Sequence, residues 1–208
     1  MGKDKVHPKP IRLIAAACND MGIGKDGQLP WNIPKEFQFF LDTVTSVSSP
    51  GKSNLLIWGR KCWLSSLEIT HLFRNCLHIV LSRTLSSVPK HADYVCQDFP
   101  SAVELASTFP LCNQVETIWI IGGVEVYKES ARHPWCDLIY LTHVMADFDC
   151  DTYFPEFDRE VYEQLETCEY CRGTANHQPD DSSLSLDRKL IACHDSFEIG
   201  QRLFMFKV

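Results

Sequence analysis

Glu36 has a setting that could serve proton chemistry. It lies one residue before Phe37 and four before Phe40, at the edge of an apolar stripe. A carboxyl group held against such a surface loses water, and its pKa rises towards neutrality. The same position also suits an acid that only complements a helix dipole. Two glycine-rich stretches could hold a phosphate. Gly22-Ile23-Gly24-Lys25-Asp26-Gly27 fits GxGxxG and follows an apolar run. A dinucleotide fingerprint must open directly into a helix, yet Pro30 follows, removing a donor and fixing φ. What remains is a flexible loop over the end of a sheet, or a plain surface turn. Gly122-Gly123 precedes a helical stretch, where backbone N–H groups can meet a pyrophosphate. Arg60-Lys61 and Ser82-Arg83 follow neighbouring apolar runs and could grip one phosphate together; singly, each is an ordinary solvated charge. Cys168 and Cys171 form a CxxC, with His177, Cys193 and His194 downstream. One such knuckle falls short of the paired ligands that zinc prefers. Residues three apart in a strand face opposite sides, and no metal site is expected.

The elements that must position these residues follow from periodicity. Ile11 to Cys18, Asn54 to Trp58, Leu77 to Leu81, Thr117 to Ile121 and Leu138 to His143 are short apolar runs that predict buried strands, with Tyr94 to Cys96 as a further short one. Pro34 suits a first helical turn, and Phe37, Phe40, Leu41 and Val44 then mark one apolar face. A short helix is expected from Arg60 and another over Val124 to Ala131. Ser101-Ala102-Val103-Glu104 reads as a capping box for a helix towards Ser107. Strands alternating with helices predict an α/β domain with a mainly parallel sheet. Val161 to Tyr170 and Leu203 to Lys207 read as antiparallel strands flanking a long polar loop, residues 172–189.

The chain has 208 residues, 45% hydrophobic, enough for one domain with a substantial core. Residues 1–10 read as a polar extension and 11–208 as the domain. Lys plus Arg number 20 against 27 acidic residues, a net charge of −7 that disfavours nucleic acid or an acidic membrane as the main partner. The N-terminus lacks a signal-peptide core, and no run approaches the ~20 apolar residues of a membrane span. The ten cysteines are scattered and predict free thiols in a reducing cytoplasm.

The run Met21-Gly22-Ile23-Gly24-Lys25-Asp26-Gly27-Gln28-Leu29-Pro30-Trp31 closely resembles the mobile loop of the dihydrofolate reductase family. Further segments agree in order: Trp58 to Trp63, Val80 to Arg83, Trp119 to Gly123 with Tyr127, Asp147-Phe148, and Asp151 to Pro155. The resemblance implies a single α/β domain of about eight strands with an antiparallel last strand. It implies a monomer, NADPH as hydride donor, reduction of dihydrofolate to tetrahydrofolate for one-carbon metabolism, and antifolate inhibitors as ligands. By resemblance the catalytic residues are Glu36, which binds the pterin ring and promotes its protonation, Trp31, which holds a water, Thr142, which bonds the acid through water, and Tyr127 beside the nicotinamide. The substrate pocket would be lined by Ile14, Ala15, Leu29, Phe37, Phe40, Ser65, Phe73, Arg74, Cys76 and Ile121, with the Ile14 and Ile121 carbonyls as acceptors. The cofactor would lie along Ala16, Ile23, Gly24, Gly27, Gln28, Gly59, Arg60, Lys61, Cys62, Leu81, Ser82, Arg83, Gly122, Gly123, Val124, Glu125 and Val126, with a cis bond between the two last glycines of its strand.

Three residues depart from the family pattern. Cys62 stands where a threonine hydroxyl would bond the cofactor phosphate, and a thiol is a weaker donor. Cys76 stands where an arginine would pair with the folate glutamate carboxylate; Arg74, two residues earlier, is a candidate substitute. Glu125 stands where small residues are common, and pointing inward it would oppose the phosphates. Two alternatives remain at this point: a pyrimidine reductase of the same superfamily, and a non-catalytic relative that binds cofactor or RNA. No fused thymidylate synthase is expected, as the chain ends at Val208.

Overall fold

A computed structural model describes residues 7–165 and 199–206. The apolar runs become the strands of one sheet. In chain order these are β1 (Ile11–Ala17), β3 (Ser53–Gly59), β4 (Cys76–Leu81), β5 (Tyr94–Cys96), β6 (Val115–Gly122), β7 (Cys136–Val144), β9 (Tyr162–Leu165) and β10 (Ile199–Phe206). Their spatial order is β5-β4-β3-β6-β1-β7-β10-β9. β1, β3, β4, β5, β6 and β7 pair in parallel, and β10 runs antiparallel to both β7 and β9. Two short strands, β2 (Gly22–Gly24) and β8 (Thr152–Tyr153), form a separate antiparallel ribbon inside what the sequence suggests is only a loop. The helices are α1 (Pro34–Thr45), α2 (Arg60–Ser65), α3 (Phe99–Ser107), α4 (Leu111–Gln114) and α5 (Val124–Ser130), with a 3-10 helix over Leu67–Leu72.

Alternation along the strands divides the core between two sheet faces. Leu13, Leu55, Ile57, Ile118 and Ile120 face a cluster that holds Phe99, Ala102 and Val126 from α3 and α5. Ile14, Leu56, Trp58, Trp119 and Ile121 face a second cluster with Val44 and Phe40 of α1. Chain segments 1–6, 166–198 and 207–208 lie outside the described residues, so the CxxC at Cys168 and Cys171, the 172–189 loop, and the extension of β9 towards Tyr170 are not described.

The expected capping box at Ser101 is corrected. The cap is Asp98, whose Oδ1 accepts from the Ser101 N–H at 2.9 Å, and α3 begins at Phe99 with Pro100 in its first turn. A proline tolerated early in a helix moves the start upstream, and Ser101 and Glu104 sit inside the helix. Within α1, Pro34 does occupy the first turn, and Phe37 N bonds the Ile33 carbonyl at 3.1 Å.

Candidate active site

The central ladders break at one residue. β1 pairs with β6 only as far as Leu13–Ile120, and the β3–β6 register jumps from Ile57–Ile120 to Trp58–Gly122. Ile121 is the extra residue of this bulge, a device that re-aims a strand end. The buried Tyr127 hydroxyl bridges the break: it lies 2.8 Å from the Ile14 carbonyl and 2.5 Å from that of Ile121. Its single proton is shared between two acceptors, and burial pushes its pKa well above the ordinary tyrosine value, so it remains a donor. Open α/β sheets place ligands outside the carboxyl ends of such parting strands.

Glu36 comes to this edge from the first turn of α1. It is 9% exposed, and burial alone raises its pKa from 4.5 to about 7. Among the described residues no cation or hydrogen bond offsets that shift, so at neutral pH the group is poised between acid and carboxylate. Its field also adds to the rise at Tyr127, which places the two groups within electrostatic reach of each other. Phe37, Phe40 and Phe73 form a chain of rings with centroids 6.2 and 5.8 Å apart, and Phe73 continues onto Trp58 at 5.4 Å. These rings supply a dry wall beside the acid. Ile14 and Ala16 alternate with Ala15, so they share the α1 face of β1. Thr142, buried and paired with Ala16, lies on the same face as Tyr140.

The glycine loop is anchored rather than free. Trp31 is buried, edge-on to Phe148 at 5.2 Å, while Leu29 two residues earlier is 56% exposed. The Trp31 Nε1 is buried with no hydrogen-bond partner among the described residues, a donor that a water or ligand atom can satisfy. Asp151 is the hub of this contact. Its N–H donates to the Gly24 carbonyl at 3.0 Å, its Oδ2 accepts from the Asp26 N–H at 2.8 Å, and its Oδ1 accepts from Thr152 at 2.8 Å. Those bonds hold its carboxyl below the usual aspartate range. Lys25 adds a 3.0 Å ion pair to Asp149. Spacing gives Asp151 and Phe148 no role, because their partners Asp26 and Trp31 lie 125 and 117 residues away; the short ribbon β2–β8 is what brings the two segments together.

The carboxyl ends of β3, β4 and β6 bring together groups that could hold a phosphorylated ligand. A Cβ at Gly59 would lie 3.0 Å from the Gly123 nitrogen, so any side chain there would press on the backbone after β6. A Cβ at Gly123 would meet nothing within 4 Å, so open space fronts its backbone at the start of α5. The Gly122–Gly123 bond is cis. Gly59 pairs with Leu81, which brings Arg60 and Lys61 beside Arg83. All three cations are exposed, and neither salt bridge among the described residues involves them. Ser82 is buried instead: its Oγ accepts from the N–H groups of Thr84 and Leu85 at 3.2 and 3.1 Å and fixes the turn that presents Arg83.

A family model described as "Dihydrofolate reductase" matches residues 10–183. The chain belongs to the dihydrofolate reductase family. It is 40% identical to the dihydrofolate reductase of Bos taurus over 158 residues, which is 76% of this chain and 84% of that one. To the Gallus gallus dihydrofolate reductase it is 34% identical over 174 residues, 83% of this chain and 91% of the other. Among solved structures, Schistosoma mansoni dihydrofolate reductase matches with a TM-score of 0.72 and 29% identity, covering 97% of this chain and all of that one. Against that family background the three departing residues have defined places. Glu125 is exposed in the first turn of α5. Cys62 is pushed by burial to a pKa of about 11 and stays a neutral thiol. It lies near Gly122: a Cβ there would be 3.4 Å from the Cys62 Sγ. Cys76 opens β4 with its Sγ 3.5 Å from the Val44 and Arg74 carbonyls, while Arg74 itself is exposed.

Proposed function

We propose that this chain catalyses the NADPH-dependent reduction of 7,8-dihydrofolate to tetrahydrofolate. One observation carries the reading: a lone carboxyl, Glu36, buried without a counter-charge beside an aromatic wall, at the edge where β1 and β6 part. Reducing a C=N bond requires a proton at nitrogen as hydride reaches carbon. Glu36 accepts hydrogen bonds from the ring amino group of the pterin and favours the protonated ring. Thr142 and the Trp31 indole hold water beside that acid and steady its position. Phe37, Phe40 and Phe73 exclude bulk water and stack against the flat parts of the substrate. The Ile14 and Ile121 carbonyls, tied to Tyr127, shape the space between the two ligands.

Arg60, Lys61 and Arg83 hold the 2′-phosphate side of NADPH, and the N–H groups after Gly122 face its pyrophosphate. When bound, NADPH supplies the hydride. The related names support this reading over a pyrimidine reductase or a non-catalytic binder. We further read the protein as a cytoplasmic monomer. The free thiols of Cys18, Cys62, Cys76, Cys96, Cys112, Cys136 and Cys150 suit a reducing compartment. Among the described residues no helix is long and apolar enough to cross a membrane. The test is loss of the NADPH absorbance band when dihydrofolate is added to the purified chain. Glu36→Gln should abolish most of that loss while leaving NADPH binding intact; unchanged turnover refutes the role of Glu36.

A further inference from the structure

Cys18 and Cys150 lie far apart in sequence, yet their sulfurs are 3.9 Å apart. Cys18 follows the last residue of β1 and is 2% exposed; Cys150 is half-buried in the segment leading into β8. Gly22 creates the space between them. A Cβ there would sit 2.5 Å from the Cys150 Sγ and 2.9 Å from the Cys18 Sγ, so any side chain would wedge the thiols apart. The backbone around the pair is already tied, with Cys18 N donating to the Gly22 carbonyl at 2.9 Å and β2 pairing with β8. A further approach of about 2 Å brings the sulfurs to the ~2 Å of a disulfide.

We propose that Cys18 and Cys150 are a reversible disulfide site that latches the glycine loop to the segment supporting it. The two segments are otherwise joined only by non-covalent contacts: the short β2–β8 ladder, the Trp31–Phe148 ring pair, and the polar contacts Lys25–Asp149 and Asp26–Asp151. The more accessible Cys150 reacts first. Its thiolate attacks a low-molecular-mass disulfide, forming a mixed disulfide and releasing one thiol. The Cys18 thiolate then attacks the Cys150 sulfur, forming the protein disulfide and expelling the second thiol. Two protein thiols are oxidised and one small disulfide is reduced to two thiols, which take up the two protons the protein thiols give up. Burial, together with the neighbouring Cys18, raises the pKa of Cys150, so thiolate is scarce at neutral pH and exchange is faster under mildly alkaline conditions.

The consequence for turnover rests on the function proposed above, whereas the cross-link and its effect on the loop do not. The experiment incubates the full chain with oxidised glutathione at mildly alkaline pH. It then maps disulfide-linked peptides and measures amide hydrogen exchange over residues 19–31, with and without dithiothreitol. The expected result is a peptide joining Cys18 to Cys150 and about tenfold slower exchange in that loop. Both are reversed by reductant, with a matching reversible fall in dihydrofolate turnover. Cys18→Ser should stop at a stable glutathione adduct on Cys150 with the loop unprotected, and Cys150→Ser should gain neither adduct nor cross-link at this site. Glutathione adducts alone in the unsubstituted chain, or a Cys18–Cys150 link that leaves exchange unchanged, would overturn the proposal. A protected, cross-linked loop in a chain that never oxidises NADPH would instead refute the functional reading and leave the latch standing.

Discussion

Replacing Glu36 by glutamine should make the protein more stable and far less active, and the gain should depend on pH. The carboxyl moves from its ordinary value of 4.5 to about 7 on folding, purely through burial. At about 1.4 kcal/mol per unit, that shift corresponds to a cost of about 3 kcal/mol for holding the charged form in the folded chain. Below about pH 4.5 both folded and unfolded chains keep the proton, and the cost vanishes. Between there and about pH 7 the unfolded chain releases its proton while the folded chain retains it, so wild-type stability falls as pH rises. Above about pH 7 the whole cost is present. Glutamine has nearly the same volume and no charge to bury. Urea titrations at pH 5.5 and pH 8 should therefore show the variant pulling ahead with pH, by up to about 3 kcal/mol, on the order of 6–12 °C in melting temperature for a chain of this size. Turnover should fall by about 10²- to 10³-fold, the usual worth of a positioned proton-handling group. A stability gap independent of pH, or a variant less stable than wild type at pH 8, would refute the claim that this acid is held without compensation.

Four further outcomes follow from single contacts. His78 is buried, its Nδ1 accepts from Trp58 Nε1 at 3.1 Å, and burial lowers its pKa. The folded chain therefore resists protonation there, and stability should drop as pH falls through and below the ordinary histidine value of 6.5. His78→Ala should cost about 2–4 kcal/mol at pH 7 in a urea titration, by opening a cavity and orphaning an indole N–H. Asp98→Ala should cost about 1 kcal/mol in the same assay, with Ser101→Ala changing little, since the aspartate carries the cap. Gly59→Ala forces backbone apart at 3.0 Å from Gly123 and should weaken NADPH binding by about tenfold or more in a fluorescence titration. Cys76→Arg should tighten dihydrofolate, read as a lower KM, if the wild-type site lacks a partner for the glutamate tail; an unchanged KM together with loss of affinity in Arg74→Ala would assign that contact to Arg74.

Much of this architecture is legible from local pattern. Ile11 to Cys18 and Thr117 to Ile121 are apolar without alternation because their strands are covered on both faces, as parallel strands are. Pro34 and the spacing from Phe37 to Val44 give α1 directly. The depth of Glu36 is harder to read, because the first turn of a helix is as good a place for a solvated acid as for a buried one. The aromatic chain beside it, from Phe37 and Phe40 on α1 through Phe73 at the end of the 3-10 helix to Trp58 on β3, is assembled from three separate elements. The ribbon β2–β8 is invisible for a different reason. Two or three residues, partly glycine, carry no periodicity, and their pairing is decided by Asp151, which meets the loop from the far end of the domain. Asp98 shows how a strong local signature can mislead: Ser101 and Glu104 fit a capping box, yet Pro100 tolerates a helix that has already begun.

The gathering of Arg60, Lys61 and Arg83 at adjoining strand ends sets up a contest of length scales. From afar an approaching polyanion meets a chain carrying −7 and is repelled; close in, it meets three exposed cations that no salt bridge among the described residues engages. Screening acts first on the distant part, since at about 0.1 M ionic strength charges separated by more than roughly 10 Å scarcely feel each other. Modest salt should therefore speed encounter, and only concentrated salt should loosen the complex once formed.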